Sequence, residues 1–170
     1  MASLFNTFLA GLVVIALCAT AMAAAQRPSD RWTLYRFDGH AFVPGTPADD
    51  GTFVALRDGM RPAVLSRSAR PGEIPLPAGT GAVAGICYIQ SSGGKLAPGP
   101  GYAPYPRALV QVSSGEMVVA AFRADEQGYF VALLPAGNYR ITSGIATATI
   151  TIATSSTFLI PLRAGKRMVD

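Results

Sequence analysis

The chain has 170 residues, half of them hydrophobic and only 14% charged, with 18 glycines, 13 prolines and a formal net charge of +4. Residues 1–25 are predominantly apolar and uncharged, so from residue 26 onward roughly one residue in five is Gly or Pro, against about one in eight in an average protein. That density of chain breakers excludes a helical bundle, the aliphatic and aromatic content excludes intrinsic disorder, and the scattered charge lacks the basic stripe of a nucleic-acid surface.

Phe8 to Cys18 form a short apolar core followed by Ala21-Met22-Ala23 and Ala23-Ala24-Ala25, the small-x-small pattern of a signal-peptide cleavage site. Residues 1–25 are therefore expected to direct export to the periplasm or the extracellular space. No Lys or Arg precedes Arg27, which departs from the usual signal pattern and leaves an N-terminal membrane anchor as the alternative. A lipoprotein reading of Ile15-Ala16-Leu17-Cys18 meets Leu17 where a small residue is required. Cleavage leaves Cys87 as the one mature cysteine, so no internal disulfide can form. Its setting in an apolar strand suits a small buried hydrophobe rather than a nucleophile.

Residues 26–66 read as a β-hairpin extension. Trp32–Phe37 runs through Asp38-Gly39 into His40–Val43, and Thr52–Leu56 runs through Asp58-Gly59 into Arg61–Leu65; Asp-Gly supplies the positive φ that a tight hairpin turn needs. Pro62 confines the last of these strands to an edge or marks its start. Residues 67–81, with Pro71, Pro75 and Pro77 and no periodicity, read as a Pro-rich linker. About 50 residues before it are too few for a robust core, so they are expected to dock on the C-terminal domain or on another protein.

From residue 82 strands are expected at 82–90, 107–113, 117–124, 128–133, 138–143, 145–152 and 156–162, separated by Gly, Pro, Ser and Asp clusters. Seven short strands at this spacing point to an antiparallel sandwich, with residues 164–170 left as a C-terminal tail. Alternation places Ala108, Val110 and Val112 on one face, and Ile150 and Ile152 likewise.

Four segments carry a family resemblance: Val83-Ala84-Gly85-Ile86-Cys87, Arg107–Val112, Ala124-Asp125-Glu126-Gln127-Gly128-Tyr129-Phe130, and Leu133-Leu134-Pro135-Ala136-Gly137-Asn138-Tyr139-Arg140-Ile141. With them, residues 82–163 resemble the carboxypeptidase regulatory-like domain, whose transthyretin-type fold implies an all-β, seven-stranded antiparallel Greek-key sandwich (prealbumin-like). In this chain that sandwich would carry the N-terminal hairpin extension. The motif residues have structural roles. Asp125 can bond the backbone of its own turn while Gly128 takes positive φ, and Pro135-Ala136-Gly137 reverses the chain so that Tyr139 and Ile141 enter the core.

Where the family commonly has a short turn, this chain has Gln90 to Pro106, rich in Gly and Pro and carrying Tyr102 and Tyr105. Two readings stand: the tyrosines present rigid amphipathic rings to a protein or glycan, or they pack back on the domain. With the aromatic hairpin residues Trp32, Tyr35 and Phe42 they form the candidate partner-binding set. One histidine and one mature cysteine cannot build a multi-histidine zinc site, and no Gly-x-Ser-x-Gly, Walker or dinucleotide motif occurs. No catalytic, metal or cofactor-binding residue is therefore expected.

The chain thus reads as a non-catalytic exported module that binds an envelope or extracellular protein in a bacterial assembly. Its alternatives are a carbohydrate-binding module, with a polysaccharide as ligand, and a fibre or pilus subunit that self-associates through sheet edges. No nucleic-acid partner is expected.

Overall fold

The turns read from the sequence set where the strands reverse. Asp38 Oδ1 accepts the backbone N–H groups of His40 and Ala41, both at 2.8 Å, while Gly39 takes positive φ. Asp125 Oδ1 does the same for Gln127 and Tyr129, at 2.9 and 2.7 Å, around Gly128. Gly115 and Gly144, each the first residue of a two-residue loop, also have positive φ, as a tight antiparallel hairpin of this class demands.

A computed structural model describes residues 31–46, 51–66, 69–92 and 101–168; the expected export segment lies outside them. The described residues form twelve strands and no helix. They are β1 Thr33–Phe37, β2 Phe42–Pro44, β3 Phe53–Leu56, β4 Ala63–Leu65, β5 Thr80–Ser92, β6 Tyr102–Pro104, β7 Leu109–Ser114, β8 Met117–Arg123, β9 Tyr129–Pro135, β10 Gly137–Ser143, β11 Ala146–Ile152 and β12 Thr157–Met168. A first sheet has the order β2-β1-β3-β4, and a third has the order β11-β10-β7-β8. Between them lies a sheet built on β5: β12 pairs along one edge, while β9 and then β6 share the other.

The middle sheet is buried on both faces, and β5 shows why its residues are so uniformly apolar. Val83 and Cys87 point into a core with Val110, Val112, Phe130, Leu134, Tyr139, Ile141, Ile150, Ile152, Ile160 and Leu162, between the middle and third sheets. Ala84, Ile86 and Tyr88 point the other way, against Phe37 and Val54 of the first sheet and Tyr129 of β9. A strand covered on both faces reads as a continuous apolar run instead of an alternation. Gly85 lies opposite Phe130 in the β5–β9 register, and the ring occupies the space that a side chain at 85 would take.

Three features depart from the sequence expectation. The strands form three sheets instead of the two of a seven-stranded sandwich. The β5–β12 pair is parallel, so the strands are not all antiparallel: after β11 the chain leaves the third sheet and returns alongside β5 in the same direction. The last strand runs on to Met168 through an irregularity between Arg163 and Gly165, so residues 164–168, expected as tail, pair with the end of β5.

The Pro-rich stretch is also tied down where it is described. Arg61 N–H donates to Ile74 O and Leu76 N–H to Gly59 O, both at 2.8 Å, and Arg57 pairs with Glu73 at 3.0 Å. The β3–β4 turn itself is anchored to the middle of the molecule by Gly59 N–H donating to Ser155 O at 2.8 Å.

Candidate functional site

The aromatic residues singled out from the sequence divide between a seam and the surface. Phe42 and Tyr102 meet Phe37, Tyr88 and Tyr129 where the first sheet lies on the middle one. Ring centroids are 5.7 Å apart for Phe37–Phe42, 4.7 Å for Phe37–Tyr88, 4.8 Å for Phe37–Tyr102 and 6.5 Å for Phe42–Tyr129. The Phe37–Tyr102 pair is edge-on, the arrangement ring quadrupoles favour. Tyr102 is thus packed back on the domain, held there because its strand β6 pairs with Tyr88–Gln90 of β5. Trp32, just before β1, and Tyr35, within it, are half-buried. Tyr105 is the candidate that stays at the surface, 41% exposed, its backbone N–H donating to Cys87 O at 2.9 Å.

The seam opens into a cleft of about 330 Å³ lined by residues that include Arg36, Asp38, Thr52, Tyr102, Gln127 and Tyr129. Two phenols stitch its walls: Tyr102 OH donates to Phe37 O and Tyr129 OH to Thr52 O, each at 3.4 Å. Burial pushes both phenols above their ordinary pKa, with the Asp38 charge adding to the effect on Tyr102 and the neighbouring Tyr102 and Asp125 adding to that on Tyr129. Asp38 is held below the ordinary carboxylate range by the backbone N–H groups of Ala41 and His40. Both tyrosines therefore remain neutral donors at physiological pH, and their hydroxyls serve the joint between layers. Cys87 is fully buried, its S–H 3.5 Å from Ser143 Oγ, and burial raises its pKa. A buried thiol held protonated is a packing group.

The feature sequence reasoning missed is the position of β8, expected as a strand over 117–124. The strand ends the third sheet, so among the described residues its outer edge has no strand partner. Met117 is 71% exposed, Val118 55% and Val119 46%, and Leu109 of the neighbouring strand is exposed at the other end, opposite Arg123. From Met117 to Phe122 the strand has no charge and no proline. Edge strands are usually blunted by Lys, Pro or a cover, because their free N–H and C=O groups template pairing with another chain. Among the described residues the device at this edge is a bulge: Val112 pairs with Ala120 and Ser113 with Val118, leaving Val119 extra. The uncharged, proline-free run of residues 117–122 was visible in the sequence; its place at the end of a sheet was not.

No protein-family model and no curated protein matches the sequence. Among solved structures, the chain is similar to the minor pilin GBS52 of Streptococcus agalactiae, with a TM-score of 0.39 and 14% identity. The match covers 74% of this chain and 64% of the pilin chain, so this chain spans less than two thirds of that protein's length. A likeness of this degree transfers no role.

Proposed function

We propose that this protein is a non-catalytic, exported binding module of a bacterial envelope or extracellular assembly, and that it engages a protein partner by strand addition at β8. The observation that carries this reading is the uncharged, apolar edge from Met117 to Phe122, which has no strand partner among the described residues. An edge of that kind supplies main-chain hydrogen bonds for affinity and side-chain contacts for selectivity, and an added strand satisfies both. The sandwich of the middle and third sheets is proposed to be of the carboxypeptidase regulatory-like type. The Asp125–Gly128 turn supports this, as does the corner at which Tyr139 OH donates to Pro135 O at 2.9 Å. Export rests on the sequence pattern of residues 1–25; among the described residues no helix is long and apolar enough to cross a membrane.

A glycan platform finds less support, because Phe42 and Tyr102 are committed to the seam. The test is capture of partners from the native host's envelope by the tagged protein and by its Val118→Lys variant, which places a charge on the exposed edge. Loss of a reproducible partner in the variant, with Ile145→Asp at the opposite hairpin tip retaining it, is the expected result. Equal capture by all three refutes the assignment to β8.

A further inference from the structure

We infer that the occupant of the β8 edge is a second copy of β8, paired antiparallel about a twofold axis. This rests on the assignment of β8 as the contact edge and names what covers it.

The bulge restricts the register. On the C-terminal side of the bulge, Ala121 and Arg123 face outward with Leu109 and Gln111, and Ala120 and Phe122 face the core with Val110 and Val112. On its N-terminal side the extra residue inverts the parity, so Val118 faces outward opposite Ser113 and Met117 falls on the core side opposite Ser114. Directly opposed residues in an antiparallel pair must share a face. An antiparallel self-pairing with its axis between Val119 and Ala120 meets that condition on either side of the bulge residue, which falls at the axis. It sets Val118 against the partner's Ala121 on the outer face and Met117 against the partner's Phe122 on the core side. An axis through Ala120 would instead set Val118 against the partner's Phe122, on opposite faces.

An axis through Ala121 would also match faces, setting Ala120 against the partner's Phe122, and charge decides between the two. The axis between Val119 and Ala120 places Glu116, in the β7–β8 turn, opposite the partner's Arg123 at both ends of the six-residue match. Among the described residues Glu116 has no ion-pair partner, while Arg123 donates from Nη1 to Arg107 O at 3.0 Å and has no carboxylate partner. The exposed apolar side chains of Met117 and Val118 lie along the same seam. Because a twofold contact uses the same patch on both copies, it closes: the product is a dimer, not a filament growing through this edge.

Sedimentation velocity over a concentration series, on protein purified from the envelope or medium of an expressing bacterium, tests this. The parent is expected to dimerise, Glu116→Arg and Arg123→Glu to weaken the dimer by about tenfold each through like-charge opposition, and the double exchange to restore it. Glu116 is an exposed turn residue, so its variant reports association without a folding penalty. A mixture of Val118→Cys and Ala121→Cys chains should oxidise to the mixed disulfide in preference to either like pair, which reads the register directly. A parent that is monomeric throughout, or a double exchange that stays weak, overturns self-pairing. The role of β8 as a contact edge then stands or falls separately: Val118→Lys abolishing capture of another protein keeps it, and Val118→Lys changing nothing removes both.

Discussion

Gly85→Ala probes the layered packing at its centre. A Cβ at this position would meet the Ile160 carbonyl oxygen of β12 well inside contact distance and would stand 2.5 Å from Phe130 Cζ. The ring can tilt, but the carbonyl belongs to the backbone of a strand paired with β5 over most of its length. Overpacking of a tight core costs about 1–3 kcal/mol, and here the upper part of that range applies because backbone must move. Against it, replacing glycine by alanine restricts the unfolded chain and returns about 0.4–1 kcal/mol. The steric term wins, leaving a net loss of about 2 kcal/mol. For a domain of this size that lowers the melting temperature by roughly 6–8 °C. Urea unfolding followed by tyrosine fluorescence and far-ultraviolet circular dichroism measures it. Gly72→Ala is the control, since a Cβ there meets nothing within 4 Å. A Gly85→Ala variant as stable as Gly72→Ala would refute the close approach of β12 and Phe130 to β5.

The buried phenols make stability pH-dependent. The unfolded chain ionises Tyr129 near its ordinary value of 10.0, whereas burial holds the folded phenol above it. The stabilisation is therefore complete below that value and is lost as pH rises beyond it. Tyr129→Phe should flatten the fall of the urea midpoint between about pH 8 and about pH 11, and parallel slopes for variant and parent would contradict this. Cys87 should resist alkylation in the folded protein, with peptide-mapped labelling rising only as urea unfolds it; rapid labelling without urea would show that the core is open there.

Local chemistry was legible in the sequence wherever a residue type has one conformational purpose. Asp38-Gly39, Asp125 with Gly128, and the hairpin glycines 115 and 144 mark reversals because positive φ or a short acceptor side chain is needed there. Alternation along β7, β10 and β11 likewise follows from one buried face. Pairings between distant segments were not legible. The parallel match of β12 with β5, the choice of Phe37 and Val54 as the residues through which the first sheet docks, and the position of β8 at a sheet end depend on which strands meet. Periodicity within a strand carries no such information. One long-range clue was present: Gly81 to Tyr88 contains no polar side chain apart from the thiol and phenol at its end, the signature of a strand covered twice. Which way Tyr102 and Phe42 face was not legible for a related reason, since an aromatic residue in a loop or hairpin looks the same whether it faces solvent or a second sheet.

Site-specific photo-crosslinking in the native host addresses β8 as the contact edge most directly. A photoreactive phenylalanine analogue at position 118 is expected to give a discrete crosslinked species, and the same analogue at position 145, an exposed hairpin tip, to give none. Crosslinks from position 105 with none from 118 would contradict the assignment and move the contact surface to the Tyr105 loop.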